Sequence, residues 1–99
     1  MAVGKYVLVY RGGEMAEPEE QAAVMAAWGA WFGGLGAAVV DGGAPFGASA
    51  AVDGDVVAQL TGYSILEASD LATATQMAAG CPIRTSGGSV EVYEAIDLG

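Results

Sequence analysis

The sequence predicts a single α+β domain over residues 1–99, with its elements in the ferredoxin-like order β-α-β-β-α-β. Four short runs rich in β-branched and aromatic residues predict strands. Two segments with helix-capping signals lie between the first and second runs and between the third and fourth. Hydrophobic residues make up 54% of the 99, so the chain has enough apolar side chains for one core and is not of the disordered class.

The first strand and the first helix are predicted in the N-terminal third. Residues 5–11 have strand propensity throughout and end at Gly12, the first residue of a Gly-Gly turn signal. A helix is predicted over residues 18–35, because Pro18 suits the first helical position and apolar residues recur at helical spacing. We expect it to fray or stop within residues 32–36, where glycines accumulate. Its core-facing stripe comprises Val24, Met25, Trp28, Trp31, Phe32 and Leu35.

The middle of the chain predicts little regular structure. Residues 37–40 predict a short second strand. Residues 41–51 are rich in glycine, alanine and proline, and predict a long loop of the kind that is often functional or mobile. Residues 51–59 are ambiguous, although Asp53 and the glycine after it could turn a small hairpin there.

The C-terminal half predicts strand, helix and strand. Residues 60–68 predict the third strand. Ser69 is a suitable N-cap for a second helix that runs to Ala79 and is stopped by Gly80. Residues 89–96 predict the last strand.

Both helices should cover one face of an antiparallel sheet. The residues on the other face indicate whether a partner covers it. We expect Val7 and Val9 to pack under the helices and Tyr6, Leu8 and Tyr10 to point the opposite way. Neither row of the first or the last strand is the polar row expected of a face left in water. A second copy of the chain covering that face would explain the apolar excess, so the sequence predicts a homodimer.

Charge and composition exclude several classes of function. Twelve acidic against three basic residues, Lys5, Arg11 and Arg84, give a net charge of −9. Binding to nucleic acid or to an anionic membrane is therefore not expected, because the chain lacks a basic patch. There is no histidine, and a single cysteine cannot form an internal disulfide or a metal cluster. With no apolar run of the length that spans a bilayer, we expect a cytoplasmic protein.

Three segments in the C-terminal half have a characteristic order and spacing. They are Leu-Thr-Gly-Tyr-Ser-Ile-Leu-Glu at residues 60–67, Gly-Cys-Pro at residues 80–82, and Gly-Gly-Ser-Val-Glu-Val at residues 87–92. With the start of the first strand at residues 5–8 and the helix start at residues 18–20, this pattern resembles the YCII-related, or DGPF-domain, proteins. The resemblance implies a ferredoxin-like fold that forms a dimeric α/β barrel.

The resemblance implies less about activity. Some members carry a histidine–aspartate pair proposed as catalytic, and a few relatives act on small ring compounds. This chain has no histidine, so that pair is incomplete here. Asp53 and Gly54 match the motif that names the family, but Asp55 and Val56 follow in place of proline and phenylalanine.

Three charged residues are candidates for chemistry. Asp41, at the end of the second predicted strand, is the candidate general base; the alternative is an aspartate that bonds its own turn backbone. Arg11 could bind a ligand carboxylate or cap the edge of the strand. Glu91 could act in catalysis or form an ion pair across a dimer interface.

The tyrosines are the candidate ligand-binding residues. Their hydroxyl groups could orient a small aromatic or lactone-like molecule in a cavity between two sheets, or the rings could simply pack in an interface. No metal or cofactor is expected, since the acidic residues before the first helix lack the spacing of a calcium loop and no glycine-rich segment opens a helix. The four tyrosines are Tyr6, Tyr10, Tyr63 and Tyr93.

Three functions therefore stay open from the sequence. The first is a module that binds a small cyclic or aromatic molecule in a cavity of a homodimer. The second is a cofactor-free lyase, isomerase or oxygenase acting on a small ring substrate. The third is a purely structural dimer. A poised carboxylate beside a cavity would favour the second, and the lack of any cavity would favour the third.

Overall fold

The computed structural model of the chain describes residues 3–13, 17–56 and 60–98. Within these ranges the chain forms four strands, two α-helices and two short 3₁₀ segments. Glu14, one of the acidic residues before the first helix, and residues 57–59 of the ambiguous segment lie outside the described residues. The elements are β1 (Gly4–Arg11), α1 (Gln21–Leu35), β2 (Val39–Pro45), β3 (Leu60–Ala68), α2 (Leu71–Ala78) and β4 (Ser89–Ala95), with the 3₁₀ segments at Gly36–Ala38 and Pro82–Ser86.

The four strands form one antiparallel sheet in the order β2-β3-β1-β4. The helices follow β1 and β3, so each helix connects an edge strand to a central strand. This α+β arrangement is compatible with the ferredoxin-like fold. Among the described residues, neither helix combines the length and apolar character needed to cross a membrane.

The helix boundaries differ from the predicted ones at their N-terminal ends. Residues 18–20 form a turn, and α1 begins at Gln21, three residues later than predicted. Despite its glycines α1 continues to Leu35, and Gly36 ends it with a positive φ of 58°. Asp70, not Ser69, is the N-cap of α2, and its Oδ1 accepts a hydrogen bond from the backbone N–H of Thr73 (2.7 Å). Hydrogen bonding from the side chain of Thr73, and then from its backbone N–H, lowers the pKa of Asp70.

Strand β2 is longer than predicted and lies where a loop was expected. It runs over Val39–Pro45 and includes the glycines at positions 42 and 43. Its pairing with β3 is interrupted by two register shifts, and the carboxylate of Asp41 accepts the N–H of Gly43 (2.8 Å) inside the irregular stretch. Pairing with the neighbouring strand thus overrides the low strand propensity of glycine.

The prediction of which face of β1 lies under the helices was wrong. Tyr6, Leu8 and Tyr10 are 4%, 0% and 5% exposed, and they form the core together with residues of both helices and of β3. Val7 and Val9 lie on the uncovered face and are half-buried. Both rows of this strand are apolar, so alternation could not choose between them; the packing of the helices decides which row is buried.

The uncovered face of the sheet, which we call the open face, is not a polar surface. It carries Val7 and Val9 of β1, Ile65 of β3 and Tyr93 of β4, the last of which is 51% exposed. The molecule measures 44 × 39 × 18 Å, and its shortest dimension corresponds to one sheet and one layer of helices. Nothing in the described chain covers this face.

Replacing Gly43 by alanine should destabilise the fold. Gly43 has a φ of +78°, and a Cβ atom there would lie 1.7 Å from the carbonyl oxygen of Tyr63. We expect Gly43→Ala to lower the free energy of unfolding by about 2 kcal/mol or more in urea denaturation. Gly47→Ala is the control, since no atom lies within 4 Å of its Cβ position, and it should change stability by less than about 0.5 kcal/mol. Equal stability of the two variants would contradict the close approach of β2 to β3.

Candidate functional site

A cleft of about 600 Å³ lies between α1 and the sheet, on the helix-covered side of one chain. Its outer wall is formed by α1, and its floor by the C-terminal end of β1 and the backbone of β2 and β3. Residues of the Pro82–Ser86 segment close one end. The side chains of the wall and the floor include Tyr10, Val24, Met25, Trp28, Phe32 and Ile83, and the glycines include Gly12, Gly13, Gly42, Gly43 and Gly62.

Aromatic rings hold the wall of the cleft in place. The ring of Tyr10 meets Trp28 edge-on, with centroids 5.4 Å apart and an interplanar angle of 77°. Trp28 contacts Trp31 (5.8 Å) in a second edge-on pair and Phe32 (5.9 Å) in a tilted one. The indole N–H of Trp31 donates to the carbonyl of Met77 (3.0 Å), which ties α1 to α2. Such contacts fix each ring, so the cleft has a defined shape.

A directed chain of hydrogen bonds runs along the floor. The hydroxyl of Tyr10 donates to Oγ of Ser64 (2.7 Å), and the hydroxyl of Ser64 donates to the carbonyl of Gly42 (2.8 Å). A carbonyl can only accept, so Ser64 must donate to Gly42 and Tyr10 must donate to Ser64. Burial raises the pKa of Tyr10, and the hydroxyl therefore keeps its proton at neutral pH.

One hydroxyl beside the cleft, that of Thr61, has no hydrogen-bond partner in the described part of the chain. Thr61 is among the lining residues, and its Oγ1 is buried. Its backbone carbonyl accepts the N–H of Phe46 (2.9 Å). A buried hydroxyl without a partner is uncommon, because it loses its bonds to water and gains none in return.

The contacts of Asp41 are those of an aspartate that bonds its own turn backbone, the alternative to a general base. Its carboxylate is exposed; Oδ1 accepts the N–H of Gly43 (2.8 Å), and Oδ2 accepts the hydroxyl of Tyr63 (3.4 Å). The ring of Tyr63 stacks on Phe46 with centroids 5.7 Å apart. Tyr63 pairs with Val9 of β1, so its side chain is on the uncovered face with Asp41, although the residue also borders the cleft.

Arg11 and Glu91 are partners of each other. Nε of Arg11 lies 2.6 Å from Oε1 of Glu91, and the two side chains are 35% and 44% exposed on the open face. The hydrogen bond to Glu91 raises the pKa of Arg11, with a smaller contribution from Tyr93 on the same strand. The ion pair thus forms within one chain, whereas the sequence left a pairing across an interface open.

The structure therefore separates the predicted site residues into three places. Tyr10 lines the cleft, and Tyr63 borders it while its side chain lies on the open face, opposite Val9. Tyr6 lies in a separate small cluster under α2 with Ala68 and Ala74. Residues of the open face and its edge make up the remainder: Arg11, Asp41, Glu91 and Tyr93.

From the sequence, the aromatic residues that form the wall of the cleft were expected to lie in the core only. Trp28 and Phe32 are only half-buried, and Met25 is 74% exposed. The sequence does hold a signal for the cleft, because the large side chains of α1 are accompanied by glycines in β2 such as Gly42, where a Cβ atom would meet no neighbouring atom within 4 Å. Large residues on one side and residues without side chains on the other leave space between them.

Among the described residues, Cys81 and the acidic side chains do not form a second site. Cys81 is 2% exposed, and its burial raises the pKa of the thiol, which keeps it protonated and unreactive. Within the described ranges, no group of three or more histidine, cysteine, aspartate or glutamate side chains is placed to hold a metal ion.

A model of the YCII-related domain family matches residues 5–98 of the chain. The match covers nearly the whole sequence, including all four strands and both helices, and it agrees with the resemblance seen in the C-terminal half. A search of curated proteins finds no significant match.

The hydrogen bonds of the floor can be tested by a double-mutant cycle. Ser64→Ala leaves the buried hydroxyl of Tyr10 without its acceptor, so we expect it to lower the free energy of unfolding by about 1–3 kcal/mol. Tyr10→Phe should cost about 1 kcal/mol. The double variant should lose less than the sum of the two, because the same bond is removed in each. Strict additivity, measured by urea denaturation, would show that the two hydroxyls do not interact.

Proposed function

The chain belongs to the YCII-related domain family, and we propose that it binds a small cyclic or aromatic molecule in the cleft between α1 and the sheet. The observation that carries the proposal is an aromatic-walled space of about 600 Å³, which lies within the usual range of small-molecule sites. Such sites are mostly apolar, with a few polar groups that orient the ligand. The rings of Trp28, Phe32 and Tyr10 and the hydroxyls near the floor have this composition.

The shape of the cleft favours a flat ligand. Its wall presents rings, and part of its floor is backbone at Gly42 and Gly43, while the ring of Tyr10 lies close over Gly62. A planar ring compound could therefore lie against the strands and contact Trp28 from the other side. Stacked or edge-on ring contacts of this kind add to the free energy of burying apolar surface.

Binding is better supported than catalysis. A cofactor-free lyase, isomerase or oxygenase needs a group that transfers a proton at the reacting atom. The cleft lining among the described residues has hydroxyls but no carboxylate or amine. Asp41, the candidate base, holds its own turn together through Gly43. A reaction on a small ring stays the alternative function, and a structural dimer without a ligand is the third.

We further propose that a second copy of the chain covers the open face. This face is broad, bare and mainly apolar, with Val7, Val9, Ile65 and Tyr93 at its centre. Basic and acidic residues on it lie in register within the chain, as at Lys5 and Glu67, so opposite charges are neighbours on this face. Two sheets packed face to face would form the barrel that the resemblance implies.

Ligand binding is tested by filling the cleft. Val24 lines the cleft on α1, so Val24→Phe should occupy part of the space and weaken the binding of naphthol at least tenfold, about 1.4 kcal/mol. Calorimetric titration measures the dissociation constants. Ala30 is exposed on the same helix and is not among the lining residues, and Ala30→Phe adds the same ring without entering the cleft.

The two variants separate binding in the cleft from binding elsewhere. Naphthol affinity that falls only in Val24→Phe supports the proposal. Naphthol that binds both variants as well as the original chain occupies another surface. If a panel of ring compounds fails to bind the original chain, the structural alternative is favoured.

The dimer is tested by a charge on the open face. Val7 lies between Ile65 and Tyr93 in the strand register, and Val7→Asp would bury a carboxylate in the middle of the interface. We expect native mass spectrometry to give twice the 9.8 kDa mass for the original chain and the single mass for Val7→Asp. Ala26→Asp, on the exposed side of α1, adds the same charge and should leave the dimer intact. A monomeric original chain, or a dimeric Val7→Asp, would contradict the proposed interface.

A further inference from the structure

We infer that the cleft takes uncharged ring compounds and discriminates against anionic ones, so that its ligand is a neutral aromatic alcohol or a similar molecule and not a carboxylate or a phosphate. This inference rests on the proposed binding of a ring compound and adds the chemical class of the ligand. It follows from where the few cations of the chain lie.

None of the three basic side chains lines the cleft. Lys5 lies near the start of β1, in register with Glu67 and at the other end of the strand from the cleft. Arg11 lies at the cleft end of β1, but its side chain is on the open face and is bonded to Glu91 at 2.6 Å. Arg84 donates to a backbone carbonyl just after α2. All three lie within the described residues, and the chain has no histidine, so no other side chain supplies a positive charge.

An anionic ligand would therefore enter the cleft without a counter-charge. A carboxylate that leaves water for an apolar site loses its hydration, and only a paired charge or several hydrogen bonds could replace it. The wall offers the apolar rings of Trp28 and Phe32, which cannot replace the hydrogen bonds that a carboxylate loses on leaving water. The net charge of −9 on the whole chain acts in the same direction.

The polar groups of the cleft suit a neutral hydroxyl. The proton of Tyr10 is committed to Ser64, so the phenolic oxygen has only acceptor capacity left. A ligand hydroxyl can donate to that oxygen, whereas a carboxylate can only accept.

The experiment compares two probes that differ in charge and share a ring system. Calorimetric titration at neutral pH measures the affinity of the chain for naphthol and for naphthoate. We expect naphthoate to bind at least about tenfold more weakly. Equal affinities would overturn this inference and leave the proposed binding function standing. If neither probe binds, the inference and the proposed function both fail.

A matched pair of variants tests whether the discrimination comes from the cleft. Met25 lies at the mouth of the cleft, and Met25→Lys places a positive charge there. We expect the ratio of naphthoate to naphthol affinity to rise about threefold at low salt and to return toward its original value at high salt. Ala30→Lys adds the same charge on the far side of α1 and should leave both affinities unchanged.

The two lysine variants distinguish a charge effect in the cleft from an effect of the net charge. A ratio that rises only in Met25→Lys assigns the discrimination to the missing counter-charge in the cleft. A ratio that rises equally in both variants assigns it to the net charge of the chain, and a ratio that rises in neither shows that charge does not govern the choice. Either of the last two results overturns the inference.

Discussion

Tyr10 is the side chain on which both the core and the cleft depend. Its ring packs edge-on against Trp28 of α1, and its hydroxyl donates to Ser64 of β3, which in turn donates to Gly42 of β2. One residue of β1 thus connects the first helix and two strands. A buried phenol is favourable only if its hydroxyl is bonded, so the position of the β2 carbonyl is a condition for burying this ring.

The irregular part of β2 meets that condition and also opens the cleft. The register shifts around Asp41 and the positive φ of Gly43 bring the backbone of β2 close to β3, so that Ser64 reaches the carbonyl of Gly42. The same glycines leave the floor without side chains opposite Trp28. Stability and binding space therefore come from one local feature, because a residue with a Cβ at position 43 would collide with the backbone of β3.

The order and type of the elements could be predicted from the sequence, and the choice of sheet face could not. Strand and helix signals are local, and β3 has the predicted bounds of residues 60–68. Val7 and Tyr6 are both apolar enough for a core, so the face of β1 is decided by what α1 and α2 present to it, which is non-local information. A second strand was predicted over residues 37–40, but the part of β2 at residues 41–45 was missed for a related reason, since glycine-rich segments form strands only when a neighbour pairs with them. The cleft residues Trp28 and Phe32 were identified as apolar and helical, but whether such rings face packed atoms or open space depends on the glycines across from them.

The two faces of the sheet differ in their charged groups. This difference decides whether a second copy or an ionic ligand can bind to each face. The open face carries an ion pair, with Arg11 and Glu91 partly exposed and bonded to each other. A single charge buried in an interface costs several kcal/mol, but a pair that is already hydrogen-bonded enters as a neutral unit and loses less. A second copy could therefore cover the open face without leaving an isolated ion. The cleft has no such pair, and the charge of an ionic ligand would stand alone there. The same physical rule thus permits a partner on one side of the sheet and restricts the ligand to an uncharged one on the other.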